Sequence, residues 1–197
     1  MLSKRQRFLK RSFDIFFACM GILLLIFPIL VLILFASLST KKYGLFKQLR
    51  VGRGAKLFTI YKIRTMIHQE DMNFITVKGD QRITRFGAFL RSTHLDELPQ
   101  LFNILRGDMS FVGPRPDVVG YADKLQGQDS IILTVRPGLT GPATLKFRNE
   151  EQLLAKVDNP KYYNDNVLWK QKIEINKKYI KEWAFSKDIV FMLKTIF

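Results

Sequence analysis

The chain reads as an α+β protein, mainly α, with an N-terminal re-entrant membrane helix joined to a small cytosolic domain. Three observations carry that reading. Residues 15–38, IFFACMGILLLIFPILVLILFASL, contain no charge. Residues 45–66, LFKQLRVGRGAKLFTIYKIRTM, place strand-like runs on either side of a Gly52-Arg-Gly54 turn. From Glu97 onward, Leu98, Leu101, Phe102 and Leu105 recur at the i, i+3, i+4, i+7 spacing of one helix face. The expected division is 1–44 for the basic N-terminus and membrane helix, and 45–197 for the cytosolic domain.

The apolar run of 24 residues makes a straight helix of roughly 36 Å, long enough to cross a bilayer. It is too long for a signal-peptide core, and no small-residue cleavage site follows it. Lys4, Arg5, Arg7, Lys10 and Arg11 precede it, and Lys41, Lys42, Lys47, Arg50, Arg53 and Lys56 follow. Positive charge marks cytoplasmic flanks, and here both flanks are positive. Pro28 lies near the middle, where it removes the hydrogen bond to the Leu24 carbonyl. A segment that enters and returns, helix–break–helix at Pro28, fits both features. A spanning helix with a proline kink is the alternative.

Beyond the hairpin, residues 69–81 are polar and read as a loop, and 84–91, TRFGAFLR, as a short helix. Gly107 ends the helix that starts near Glu97. VGPRPDVVG and RPGLTGPATL are punctuated by Pro and Gly and read as loops. Residues 150–157 and 161–182 read as helices, and 186–197 as an amphipathic helix.

The formal charge is +15, and eleven of the 32 Lys and Arg lie in residues 1–56 against one acid, Asp14. Such a field points to an anionic surface as partner. Nucleic acid fits poorly, because aromatic and basic residues do not alternate in a stacking motif. One cysteine, Cys19, excludes an intrachain disulfide. His68 and His94 have no zinc-ligand spacing with it or with each other.

Two adjacent acids, Asp96 and Glu97, precede the amphipathic stripe. Asp is a favoured N-cap and Glu a favoured first-turn residue, and Pro99 suits a first turn, so capping explains the pair structurally. The chemical alternative uses the same placement. A helix N-terminus lowers a carboxylate's pKa and attracts anions, leaving Asp96 an ionised nucleophile able to form an acyl phosphate. Glu97 is then placed to hold Mg²⁺, which takes one or two carboxylates and completes its shell with phosphate oxygens. Phosphate also needs fixed cations. Pro114 and Pro116 stiffen the backbone around Arg115, which suits bidentate phosphate binding. Lys62, Arg64, Arg91 and Arg148 are further candidates, although each taken singly reads more readily as a solvated or paired surface charge.

Taken together these segments resemble the bacterial sugar transferases, the small monotopic phosphoglycosyl transferases. LRSTHLDELPQLFNILRGDMSFVGPRP (90–116) resembles the family signature almost throughout, and KIRTM (62–66) and RPGLTG (136–141) resemble its other blocks. The basic N-terminus and proline-interrupted apolar segment resemble its membrane anchor. The resemblance implies transfer of a phospho-sugar from a UDP-sugar to a polyprenol (undecaprenyl) phosphate, with Mg²⁺, a covalent aspartyl intermediate and release of UMP. It implies Asp96 as nucleophile and Glu97 as its partner and metal ligand. It implies Arg115 as a phosphate ligand in Pro114-Arg115-Pro116, with Lys62, Arg91 and Arg148 around the site. It further implies inner-membrane lipids as partners, a monotopic placement on the cytosolic face, and a minimal member of the family. Glucose, galactose, N-acetylgalactosamine and diamino-sugars all fit this motif set. Two positions depart from the family pattern: Phe27 stands before the membrane proline where Ser is frequent, and Pro-Ala-Thr-Leu-Lys-Phe-Arg follows Gly141. A non-catalytic membrane-anchored module that binds anionic lipid or nucleic acid accommodates the charge and the anchor, but not the acid pair beside a rigid Pro-Arg-Pro.

Overall fold

The structure, a computed structural model, describes residues 2–67 and 79–196. Most of the loop expected at 69–81, and His68, lie outside these residues.

Helix α1 (Lys4–Thr40) opens on a capping box: the Ser3 hydroxyl accepts from the Gln6 N–H at 3.3 Å, and the Gln6 side chain accepts from the Ser3 N–H at 2.8 Å. It closes on Lys41 in the left-handed conformation. Pro28 lies inside it, and the helix continues through without interruption. One continuous helix therefore stands where a break between two was expected. A proline forfeits its own N–H, while the remaining backbone groups in an apolar segment still gain from staying bonded to one another.

One face of α1 is covered by the rest of the chain. Ala18 and Ala36 are fully buried, and small residues there allow close approach. The opposite face leaves Phe8, Leu23, Phe27 and Leu38 at 76%, 80%, 74% and 68% exposure. So much contiguous apolar surface is incompatible with water and marks a membrane-facing side. The helix is long and apolar enough to cross a membrane, and most of its apolar stretch is left uncovered by the rest of the chain.

Strands β1 (Leu45–Val51) and β2 (Leu57–Ile63) form the expected antiparallel hairpin, with Leu45 opposite Ile63 and Val51 opposite Leu57. Helix α2 (Arg85–Ser92) follows, capped by the Thr84 hydroxyl on the Gly87 N–H at 2.9 Å. Gly87 is required by proximity, since a Cβ there would fall 2.0 Å from the Thr65 carbonyl oxygen. A three-residue 3-10 turn, Leu95–Glu97, leads into α3 (Gln100–Arg106), which ends on Gly107 at φ 92°.

Helix α3 lies between α1 and the hairpin. Leu101 and Ile104 are buried with Ala18, Ile60 and Met109, each large aliphatic side chain contributing about 1.5–3 kcal/mol. Arg11 of α1 donates to the carbonyls of Ile104 (2.6 Å) and Leu105 (2.8 Å), and Arg136 donates to that of Gly107 (2.7 Å). Two arginines thus satisfy the open C-terminal end of α3.

Asn103 fastens α3 to the hairpin. Fully buried, it accepts from the Tyr61 N–H at 3.1 Å and donates to the Thr59 carbonyl at 2.7 Å, as a neighbouring strand would. Asn103→Leu leaves both backbone groups unpaired. A loss of about 2–4 kcal/mol is expected in urea unfolding.

The second half departs from the sequence reading. VGPRPDVVG is irregular beyond Val112, as expected, but RPGLTGPATL, also expected as a loop, is not one. Instead β3 (Ser110–Val112) and β4 (Gly138–Thr140) pair in parallel, Ser110 opposite Gly138, and α4 (Pro142–Lys146) follows. Glycine permits the pairing, because a Cβ on Gly138 would lie 2.1 Å from the Gly113 nitrogen. Helices α5 (Glu150–Leu154), α6 (Pro160–Tyr163), α7 (Trp169–Lys181) and α8 (Phe185–Ile196) complete the chain. The single helix expected over 161–182 is α6 and α7 joined through a π-turn at Asn164–Leu168. Lys10 of α1 pairs with Asp188 of α8 at 2.5 Å, and Asp188 also accepts from Tyr179 (2.7 Å) and Trp183 (3.0 Å). Charges this deeply buried are stable only when fully bonded.

Candidate active site

The acid pair sits where β2, the 3-10 turn and the segment after β3 meet. Asp96 is 7% exposed. It is not a cap: it lies inside the turn, whose N-cap His94 makes no side-chain capping bond, and α3 begins from Pro99. His94 adopts φ 56° to make the entry into the turn. Burial pushes the Asp96 carboxyl above its ordinary pKa, an effect that Lys62 opposes and Glu97 reinforces. The expected lowering by a helix N-terminus is thereby corrected. A three-residue turn has little dipole to offer, and desolvation dominates.

Glu97 is held by two cations. Lys62 Nζ donates to Oε1 at 2.7 Å, and Arg115 donates to both carboxylate oxygens, one of these contacts being 3.4 Å. Burial drives the Glu97 carboxyl up, yet Arg115 and Lys62 outweigh it and hold the pKa far below the usual range. Burial also lowers Lys62, with Glu97 as the main opposing influence. Strand alternation explains the placement of Lys62, two residues along from buried Ile60 yet at the sheet's end, where it meets the turn.

The remaining candidates divide. Arg91 pairs with Glu151 of α5 and its charge reaches Asp96, so it belongs to the cluster. Arg64 instead donates to the Tyr43 carbonyl at 2.9 Å and lies 5.4 Å over the Phe46 ring. Arg148 donates to the Lys194 and Thr195 carbonyls at the end of α8. Neither is bonded to the acid pair.

Two groups escaped the sequence reading, Arg50 and Asp117. Burial and repulsion from Arg115 bring Arg50 down to about 10. Asp117, directly after Pro-Arg-Pro, is pushed by burial from 3.8 to about 7, against the pull of Lys172, Arg50 and Arg115. Asp117 is adjacent to Pro-Arg-Pro in the sequence, but nothing there signals its burial, and Arg50 becomes a neighbour of the cluster only through folding. The raised Asp117 value has a stability consequence. The folded chain keeps a proton that the unfolded chain releases between about pH 4 and 7, so this contribution is full at low pH and lost as pH rises through 7. Asp117→Asn should therefore melt higher than the parent at pH 8 by about 3 °C, with the gap closing towards pH 4. Paired thermal melts across that range test it.

The donor set also bears on metals. Among the described residues no group of three or more His, Cys, Asp or Glu is clustered, so a protein-only metal cage is not formed by them. Two carboxylates side by side do fit Mg²⁺, which leaves the rest of its shell to water and substrate phosphate.

Buried acids and fixed cations thus lie together on a domain packed against one long apolar helix, the arrangement of a membrane-anchored protein. The family model described as bacterial sugar transferase matches residues 5–197, and the chain belongs to that family. It is 37% identical to the UDP-glucose:undecaprenyl-phosphate glucose-1-phosphate transferase of Escherichia coli K12, over all of this chain and 41% of that protein. It is 34% identical to the undecaprenyl-phosphate galactose phosphotransferase of Salmonella typhimurium, over 98% of this chain and 41% of that protein. An uncharacterised sugar transferase of Bacillus subtilis is 33% identical over 95% of this chain and 85% of its own length. The chain thus spans about two fifths of the two enterobacterial relatives.

Proposed function

We propose that the protein is a membrane-anchored phosphoglycosyl transferase that moves a phospho-sugar from a UDP-sugar to undecaprenyl phosphate and so starts assembly of a lipid-linked glycan. The observation that carries this reading is a buried aspartate, without a hydrogen bond to any of the described residues, beside a glutamate clamped by Lys62 and Arg115. The relatives' names supply the substrate class.

In the first step an Asp96 carboxylate oxygen attacks the sugar-bearing phosphorus. The P–O bond to the nucleotide breaks, UMP leaves, and an aspartyl phospho-sugar forms. In the second step a phosphate oxygen of undecaprenyl phosphate attacks the same phosphorus and breaks the aspartyl bond. Asp96 is regenerated, and the sugar carbon keeps its configuration because only P–O bonds change. Burial helps the first step, since a poorly solvated carboxylate is the better nucleophile. Lys62, Arg91 and Arg115 offset repulsion between that carboxylate and the diphosphate. Bound Mg²⁺, held by Glu97 with Asp96 alongside, would neutralise phosphate charge.

The anchor reading follows from contacts at both ends of α1. Arg11 and Lys10 bond to α3 and α8 near its start, and Ser39 bonds to Thr84 at 2.9 Å near its end. Both ends therefore meet one domain, which supports a monotopic helix seated in the cytosolic side of the inner membrane rather than one that crosses it. The competing module that only binds lipid or nucleic acid gives the acid pair no task.

UMP release by the full chain in nanodiscs, with Mg²⁺, undecaprenyl phosphate and a panel of UDP-sugars, tests the reading. Release with one donor supports it. No release from any donor, beside a relative active in the same assay, overturns it.

A further inference from the structure

Arg115 does not sit on a free loop. The carbonyl of Pro114 accepts from the Gly138 N–H at 2.8 Å, and that of Asp117 accepts from the Val51 N–H at 2.9 Å. The carbonyl of Pro116, between them, accepts from the Arg50 guanidinium through Nη1 at 3.2 Å. Arg50 is itself aimed by Gln48, whose Oε1 takes both Nε (3.0 Å) and Nη2 (2.6 Å). Three edges of one guanidinium are thus committed, two to a side chain of its own strand and one to the catalytic loop. Arg50 makes no ion pair among the described residues, while its charge faces Glu97, Asp117 and Arg115.

That geometry has a use. Arg115 is engaged by Glu97 in this structure, so phosphate must draw it away. A side chain can change partner with little loss when its backbone stays in place, because the ordering cost has already been met. We propose that Arg50 is a positioning residue for donor binding: held by Gln48, it fixes the Pro114–Pro116 backbone so that Arg115 can turn from Glu97 to the donor diphosphate. This inference rests on the transferase reading above, and it assigns to β1 a part in the site that the acid–arginine cluster alone does not show.

A strut and a simple positive charge behave differently on substitution. Lysine keeps the charge but has one nitrogen and cannot span Gln48 and Pro116 together. Gln48→Met keeps the Arg50 charge and removes its aim. With the full chain in nanodiscs and UDP plus Mg²⁺ as probe, Arg50→Lys, Arg50→Met and Gln48→Met should each weaken UDP binding by about tenfold or more. In turnover, KM for the donor should rise while kcat at saturation changes by less than about threefold. In an Arg115→Met background, Arg50→Met should add less than about twofold, because the group it positions is gone.

Normal binding by Arg50→Lys and Gln48→Met would overturn the strut and leave a charge effect. Full additivity with Arg115→Met would overturn it equally. Should Arg50→Met fail to fold, Gln48→Met and Arg50→Lys carry the test alone. A wild-type chain that neither binds UDP nor releases UMP would bring down the transferase reading and this inference with it. A wild-type chain that does both, beside unaffected variants, would bring down only the inference.

Discussion

Asp96→Asn should lower turnover by at least about 10³-fold and, at the same time, leave the fold intact with a raised melting temperature. Both halves come from burial. The carboxylate is 7% exposed, and burial destabilises its charged form. Asparagine has the same shape without the charge, so the folded state loses a strain it was carrying. It also has no oxygen basic enough to form an acyl phosphate, and groups that act as a covalent nucleophile typically cost this much when removed. UMP release and thermal melts on the same preparation check both halves. Intact-mass measurement of the parent with donor alone should show the phospho-sugar adduct, and of Asp96→Asn none. More than about a hundredth of parental activity in the variant would exclude a covalent Asp96 mechanism.

Glu97→Gln should be damaging in both respects. It leaves Lys62 and Arg115 facing each other across a partly buried site without the charge that joins them. Removing one partner of such a pair costs about 3 kcal/mol, and activity should fall by about 10²–10³-fold as the cations lose their placement. The informative control is the double variant Lys62→Met with Glu97→Gln. It removes one of the stranded cations, so part of the stability returns. Activity does not return, because neither group is then available to the diphosphate. Urea unfolding with UMP release separates the two effects, and restored activity in the double variant would show that Glu97 serves only as a counter-charge.

Periodic segments were legible in the sequence. The hairpin, α2, α3 and α8 all lie within a few residues of their expected places because each is long enough to display an apolar repeat or a cap. Strands β3 and β4 were not legible, since three residues carry no period and their pairing depends on glycines meeting across a long chain separation. The core of the candidate cluster was legible from the chemistry of nearby residues: Asp96, Glu97 and Arg115 lie in one signature, and the fold brings Lys62 and Arg91 close to them. The direction of the Asp96 shift could not, because it depends on burial by neighbours remote in sequence. For the same reason Arg50 stood among the positive flanking residues and Asp117 passed as a loop acid, while Arg64 and Arg148 have partners elsewhere.

The placement of Arg11 on the Ile104 and Leu105 carbonyls bears on how this protein can be divided. A truncation beginning at Leu45 would strip the covering from Leu101, Ile104, Ile63 and Leu90 and uncap the helix that follows the acid pair. Grafting an unrelated hydrophobic helix in its place would restore lipid affinity and not the site. Helix α1 and the domain that carries Asp96 are one mechanical part, joined by side-chain bonds rather than by a tether.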